Sequence, residues 1–562
     1  MAGCISAGIY TTNNAEACRY ITEHSQAEVV VLEGNKQLQK YVSMAHTLPH
    51  LKAVVVWGEP VDAALAAQLQ QPKKGQKALL VLSWDDFLRL GDGLADSAVD
   101  ARWARVRPGN VASLIYTSGT TGPPKAVMIS HDNITWTSRN ICEHYMDLNH
   151  LDRAISYLPL SHIAAQLIDV YCIMTLGAKV YFAQPDALKG SLTVTMKEVH
   201  PTFFFGVPRV WEKIQEKMAA IGRSNKGIMK VLGDYAKKMG KEKSRMNQFG
   251  EGGGAPCCYG VVNALILKKI KEALGLDQAK GCFTAAAPIA PETLWYFASL
   301  DIPVYEVFGQ SECTGPHTVS AAKAWKVGAC GRPMLGTESR IDPNNGELCY
   351  RGRHIFMGYM YMPKETGDTI DAEGFLHSGD VAEFDADDDP NVPKPSGFMR
   401  ITGRIKELLI TAGGENVPPV LIENEMKAAM LALSNVMVIG DKKKFLTMLV
   451  SLKTVVDTES GLPTDQLAAD ALHEGKRIGS TATTYSEARR DPAWQKYIDD
   501  GAKVANKKAA SNAQNVQKWA WLPEDFCEKN GELTPTLKLK RKVVYEKYAA
   551  LIDSLYADAN SV

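Results

Sequence analysis

A chain of 562 residues is too long for one hydrophobic core and implies roughly three or four domain-sized units. Its 63 basic and 63 acidic side chains cancel, so overall charge gives no attraction to nucleic acid, and no apolar run approaches the ~20 residues that span a bilayer. Eleven cysteines without a C-x-x-C pair suggest neither a disulfide framework nor a zinc site and fit a reducing, cytoplasmic setting. The opening MAGCISAGIYTTNN has no basic start and no sustained apolar stretch, so it does not read as a signal peptide.

Short β-branched runs come first: Val29 to Leu32, Val54 to Trp57 and Leu79 to Leu82, with a helical segment from Asp62 to Gln70 between the last two. Strand–helix–strand repetition with continuous apolar strands predicts a mostly parallel α/β sheet covered on both faces. Further strands are expected at Val111 to Tyr116, Val180 to Phe182 and Phe203 to Phe205. Residues 213–245 then crowd ten lysines and arginines onto a helical stretch that breaks at Gly252-Gly253-Gly254. A solvated surface excursion explains this stretch, and peripheral contact with anionic membrane is the alternative. An acidic loop from Asp385 to Pro395 precedes the expected main boundary, and the polar stretch 457–514 reads as an insertion in a smaller C-terminal domain.

The strongest motif is Tyr116-Thr117-Ser118-Gly119-Thr120-Thr121-Gly122-Pro123-Pro124-Lys125, a loop between two apolar runs. Glycines and small hydroxyl residues let backbone N–H groups approach phosphate oxygens, and Lys125 adds fixed positive charge. The spacing is not that of a Walker A loop. The segment resembles the phosphate loop of the adenylate-forming superfamily of acyl-CoA synthetases, luciferases and peptide-synthetase adenylation domains, with Ala126 where that family usually has glycine. The resemblance implies an α/β fold with a large N-terminal domain of layered sheets and helices over 1–402. A hinge at 403–406 and a small mobile α+β domain over 407–562 would follow. It also implies ATP, Mg²⁺ and CoA as cofactor and co-substrates.

Other segments follow in the family's order. Tyr157-Leu158-Pro159-Leu160-Ser161-His162 is similar to its Pro-x-x-His segment, with His162 near the acyl carboxylate. Phe203-Phe204-Phe205-Gly206-Val207-Pro208-Arg209-Val210-Trp211 resembles the Gly-Val-Pro-x-x-Trp signature of long-chain fatty acyl-CoA synthetases, implying an acyl gate at Trp211 beside Gly206. Trp211 as an ordinary core residue is the plainer reading. Ala285-Ala286-Ala287-Pro288 looks like the stretch packed on adenine, implicating Ala286 and Ala287. In Phe308-Gly309-Gln310-Ser311-Glu312 the resemblance gives Ser311 to the nucleotide and Glu312, with Thr120, to Mg²⁺. The block Gly346-Glu347-Leu348, Arg351-Gly352 and Met357-Gly358-Tyr359 matches a segment that is mainly structural.

His377-Ser378-Gly379-Asp380 implies ribose binding by Asp380, and Gly403-Arg404-Ile405-Lys406-Glu407 puts Arg404 on ribose and phosphate with Lys406 at the pivot. Gly413-Gly414-Glu415 would approach the pantetheine arm of CoA. The family's catalytic lysine is expected at Lys538 rather than Lys540. The segments SYLPLSHIAAQ and GIYTTNNAEACRYI are most similar to the bubblegum-type branch of the long-chain synthetases, whose members carry a longer segment ahead of Ile9. The large domain is therefore expected to be shortened at its start. The implied activity is ATP-dependent ligation of a long-chain fatty acid to CoA through an acyl-adenylate. An adenylating ligase serving a carrier protein, or an inactive homologue that binds acyl chains, are the alternatives. Leu551-Ile552-Asp553-Ser554-Leu555 resembles a carrier-domain motif, but the seven residues after it are too few for a helical bundle.

Overall fold

The computed structural model describes residues 3–71, 78–117, 123–224, 226–250, 253–322, 324–385, 397–412, 415–457, 460–509, 511–534 and 538–557. The β-branched runs form strands as expected: Val29–Glu33, Ala53–Trp57 and Leu80–Ser83 make a parallel sheet. Asp62 caps the intervening helix Ala63–Gln70 by accepting the N–H groups of Ala64 and Leu65. The expectation of two covered faces fails here. Leu32 and Val54 are buried under helices, but Val29, Val31, Trp57 and Leu80 are exposed. Residues 53–56 of the central strand are screened by neighbours on both sides, as continuous apolarity signals; Trp57 at its end, and Val29, Val31 and Leu80 on the two edge strands, are not.

Strands Val111–Thr117 and Lys125–Ser130 pair antiparallel, with Ser6–Ala7 alongside. A five-stranded sheet follows in the order Arg332–Pro333, Gly315–Val319, Val304–Gln310, Gly281–Thr284, Phe203–Phe205, its last three strands parallel. A four-stranded antiparallel sheet runs Glu338–Ile341, Glu347–Arg351, Leu376–Phe384, Met399–Arg404. The C-terminal region forms the sheet Leu433–Ile439, Leu446–Leu452, Val516–Trp521 between Pro419–Ala429 and Pro492–Asn506 on one side and Ala549–Tyr556 on the other. Ser554, in the segment that resembles a carrier motif, donates its hydroxyl to the Leu551 carbonyl on that last helix.

The polar stretch read as an insertion packs into this core instead of beside it: Tyr485, Trp494, Ile498 and Ala505 join Met426, Met448 and Val450 in one cluster. Much of its polarity lies on outward faces of amphipathic helices such as Pro492–Asn506. The region docks on helix Pro208–Ser224 through Arg223–Asp470 at 2.6 Å and Lys453–Glu216 at 3.1 Å. Beyond that helix, Ile228–Met246 exposes Ile228, Met229, Val231 and Leu232, with Lys226 and Lys230 exposed beside them. No helix among the described residues is long and apolar enough to cross a membrane.

Trp494 is fully buried. Replacing it with alanine is expected to lower unfolding free energy by about 3–5 kcal/mol in urea titrations, the range for large-to-small core changes. A loss below about 1 kcal/mol would mean the 457–514 stretch lies outside the core.

Candidate active site

Three neighbouring parallel strands deliver three expected site segments to one edge. Phe203–Phe205 ends at Gly206, Gly281–Thr284 runs into Ala285 to Ala287, and Val304–Gln310 runs into Ser311 and Glu312. Ligands of open α/β sheets bind at such carboxyl ends. Ala286 has φ +77, a left-handed backbone uncommon for alanine. Gly309 has no alternative residue: a Cβ there would stand 1.7 Å from the Gly315 carbonyl, where the hairpin with Gly315–Val319 bulges. The Gln310 amide donates to the Tyr350 hydroxyl at 2.6 Å, the Phe308 ring meets Tyr350 edge-on, and Ser311 is buried in the following turn.

That turn holds Glu312, whose Oε1 accepts the Tyr359 hydroxyl at 2.8 Å and whose carbonyl accepts the Phe356 N–H. Lys125 lies 4.5 Å above the Tyr359 ring. Residues 357–360 bridge strand Lys125–Ser130 through Met128 and Ala126, so one segment clamps both the lysine and the glutamate. The sequence read this segment as structural; Tyr359 is the functional neighbour it missed, and only its aromatic character beside Gly358 hinted at it.

Asp380 and Arg404 face each other across strands Leu376–Phe384 and Met399–Arg404, with Arg404 Nε 2.8 Å from Asp380 Oδ1. Burial pushes the Asp380 carboxyl up, while Arg404 and Lys538 hold it back; the same carboxylate raises half-exposed Arg404. Lys538 stands within electrostatic reach of Arg404, Asp380, Glu407 and Glu312, and burial with the Arg404 charge pushes its ammonium down to about 8. Lys540 instead begins helix Arg541–Lys547, its N–H donating to the Glu532 carbonyl. His162 caps a helical turn, its Nδ1 accepting the Ala164 N–H at 3.2 Å. Burial and nearby Lys538 lower it to about 4. Lys538, Arg404, Asp380, Glu312 and His162 therefore gather, with Glu407 an addition the sequence assigned only to the hinge motif.

Ser118, Gly119, Thr120, Thr121, Gly122, Gly413 and Gly414 lie outside the described residues. At the loop's flanks, the Thr117 hydroxyl donates to the Lys125 carbonyl at 3.5 Å, and Pro124, next to Pro123, accepts the Tyr20 hydroxyl through its carbonyl. Ala287 is half-buried and Lys406 exposed, while the Glu415 carboxylate accepts the Ser511 hydroxyl. Trp211 is fully buried: its indole N–H donates to the Phe283 carbonyl at 3.1 Å, and it meets Phe204 and Phe297 edge-on. A Cβ on Gly206 would come within 2.8 Å of that indole nitrogen, so glycine is what lets the ring close here.

The set of donors suits anionic phosphate flanked by a hard cation. Glu312 is a half-buried carboxylate fixed by one oxygen, a donor that Mg²⁺ accepts; Thr120, its expected companion, lies outside the described residues.

The chain belongs to the AMP-binding enzyme family, whose model matches residues 1–360. Within that family its relatives are the bubblegum-type ligases. It is 46% identical to the long-chain-fatty-acid–CoA ligase ACSBG2 of Gallus gallus over all of this chain and 72% of that protein. Human ACSBG2 is 40% identical over 99% of this chain and 81% of its own length, and human ACSBG1 41% over 99% and 75%. Among solved structures, an anthranilate CoA ligase with anthranoyl-AMP superposes with TM-score 0.65 at 18% identity, covering 98% of this chain and 84% of that one. The adenylation–carrier didomain of a Segniliparus rugosus carboxylic acid reductase gives 0.67 at 19%, covering 99% and 68%. These two share the adenylate-forming fold.

Beneath Gln310 and Tyr350, His317 and His354 form a buried imidazole pair, Nδ1 to Nε2 at 3.2 Å, with His317 stacked on Tyr350. Burial lowers both, His354 to about 3. Above about pH 6.5 neither the folded nor the unfolded state protonates His354; below it only the unfolded state does, so this group's stabilisation is lost as pH falls toward 3. A His354→Gln variant lacks that dependence. Its stability deficit against the parent should shrink by about 1.4 kcal/mol per pH unit between pH 6 and 5, read from urea midpoints. A deficit constant with pH would contradict a neutral buried imidazole.

Proposed function

We propose that this chain is a long-chain fatty acid–CoA ligase: ATP and fatty acid form acyl-AMP and pyrophosphate, and the CoA thiol then displaces AMP. The observation that carries this reading is the Asp380–Arg404 pair with Lys538 and Glu312 within electrostatic reach of it. A carboxylate is a poor acyl donor until its oxygen becomes a phosphate leaving group. The first step thus brings two anions together, and unit charges ~4 Å apart repel by about 4 kcal/mol at an effective dielectric of ~20. Positive groups already in position offset this without reorganisation. In this reading Lys125 and Lys538 serve the phosphates, Asp380 holds the ribose hydroxyls, and Arg404 steadies Asp380 and approaches the phosphate. His162, kept neutral by burial, can line the carboxylate position without adding charge. Mg²⁺, when bound, neutralises charge on the phosphates; Glu312 and Thr120 would hold it. Arrival of phosphate next to Lys538 favours its ammonium form.

CoA attack needs a second arrangement, with residues 403–406 as hinge, Lys406 at the pivot, and Gly413, Gly414 and Glu415 toward the pantetheine arm. Rotation of 407–562 as a small domain against 1–402 would break the Arg223–Asp470 and Lys453–Glu216 pairs. For the acyl chain, swinging Trp211 away breaks its bond to Phe283 and opens the apolar space it fills. Each methylene buried there adds about 0.8 kcal/mol, which favours long chains. The exposed Ile228, Met229, Val231 and Leu232 among lysines also favour peripheral contact with anionic lipid through 213–245. In this reading the acceptor is CoA, with neither nucleic acid nor a carrier protein as a partner.

Lys538→Ala is expected to lower fatty-acid-dependent ATP–pyrophosphate exchange by about a hundredfold or more, while supplied acyl-AMP is still converted to acyl-CoA at close to the parent rate. Equal loss of both half-reactions would contradict the role given to Lys538, and no exchange by the folded parent would remove the function itself.

A further inference from the structure

Away from the strand ends that form the cleft, the antiparallel sheet gathers a mixed set of donors on one face. Cys349 and His377 are opposite partners across strands Glu347–Arg351 and Leu376–Phe384, and Glu347 stands two residues from Cys349 on the same face. Cys349 Sγ lies 3.5 Å from His377 Nδ1, and the same nitrogen lies 2.9 Å from Glu347 Oε2. Among the described residues these three form a group whose donor atoms all fall within 4.8 Å of one another.

We propose that Glu347, Cys349 and His377 form a site for a soft divalent cation of the Zn²⁺ class, and that its occupancy weakens nucleotide binding through the turn that carries Asp380. Thiolate, imidazole and carboxylate together suit Zn²⁺ rather than Mg²⁺. Zinc–sulfur and zinc–nitrogen bonds of about 2.3 and 2.0 Å put tetrahedral vertices about 3.5 Å apart. That is the sulfur–nitrogen separation found here. His377 Nε2 faces the Asp371 carboxylate at 3.5 Å, an outer partner of the kind that holds the second ring N–H of a metal-bound histidine. Burial and neighbouring Glu347 push the Cys349 thiol up to about 11, against the pull of Arg340 opposite it in the next strand, so the ion itself must displace the thiol proton. The His377 side chain is 30% exposed, which leaves an entry from solvent, and water can complete the four ligands.

Binding moves protons in a defined way. The Cys349 thiol releases its proton to solvent. His377, whose Nδ1–H donates to Glu347, carries its proton on Nε2 instead and turns the Nδ1 lone pair to the ion. Glu347 Oε2 exchanges that hydrogen bond for the metal. Its other oxygen accepts the Gly379 N–H at 2.8 Å, and Gly379 has φ +73 in the turn just before Asp380. Drawing Glu347 toward an ion competes with this bond and shifts the turn. The effect on nucleotide rests on the ribose role given to Asp380; the metal site does not.

Co²⁺ added to the full chain is the test. One equivalent should give thiolate-to-cobalt absorption in the near ultraviolet and the intense visible bands of a tetrahedral ion, both displaced by Zn²⁺. The bands should vanish in Cys349→Ser and in His377→Gln and persist in Cys330→Ser; His377→Gln, on the half-exposed side, decides the matter if serine at 349 impairs folding. Saturating Zn²⁺ should weaken AMP binding at least fivefold in the parent and not in Cys349→Ser. Absent bands, or bands retained in both ligand variants, overturn the site. Full bands with AMP affinity unchanged overturn the coupling. A chain that binds no AMP with or without metal refutes the nucleotide reading and the coupling, and the cobalt spectra then decide the site alone.

Discussion

A carboxylate and a guanidinium facing each other across two strands, with an ammonium close by, make up the charge arrangement on which the rest of this molecule depends. Asp380 is almost fully buried, and a buried carboxylate is tolerated only when paired. Arg404 supplies the pairing, and Lys538 adds a second positive charge whose burial already costs it part of its proton affinity. Glu407 and Glu312 complete the cluster, so two cations face three carboxylates. An arriving phosphate group would compete with these carboxylates for Lys538 and Arg404, and a cation on Glu312 would relieve the remaining repulsion.

The fold exists around this cluster as a set of deliveries. Parallel strands bring up residues 285–287 and 311–312 from one side, the antiparallel sheet brings Asp380 and Arg404, and the C-terminal region brings Lys538. Tyr359 joins two of these suppliers, tying Glu312 to Lys125 through one ring. The C-terminal region is held on helix Pro208–Ser224 by the partly buried ion pairs Arg223–Asp470 and Lys453–Glu216 rather than by a shared hydrophobic core. A polar contact of that kind suits the rotation proposed for the small domain.

The expected site segments were easy to pick out in the chain because they are short, local and ordered: Phe308 to Glu312, His377 to Asp380 and Gly403 to Lys406 each announce themselves within a few residues. The apolar strands were legible for the same reason, since β-branched runs mark strands, whether central as in Ala53–Trp57 or at an edge as in Val29–Glu33. What stayed hidden depends on register between distant strands. Tyr359 matters because an isolated bridge sets it opposite Val127, and Cys349 meets His377 only through sheet pairing across 28 residues. The absence of a C-x-x-C pair therefore said little about metal donors assembled by a sheet. The stretch containing Trp494 was read as an insertion because its polar faces dominate its composition, which hides its share of the core, and the open side of Val29 and Val31 looked covered because apolarity does not record which neighbours are present.

The most direct measurement is a crystal structure of the chain with a non-hydrolysable acyl-sulfamoyl adenosine carrying a long alkyl chain. The ribose hydroxyls are expected on Asp380, the sulfamoyl group between Lys538 and the segment ahead of Lys125, and the alkyl chain in space vacated by Trp211. An adenosine moiety bound away from Asp380, with Arg404 and Asp380 still paired and untouched, would contradict the account.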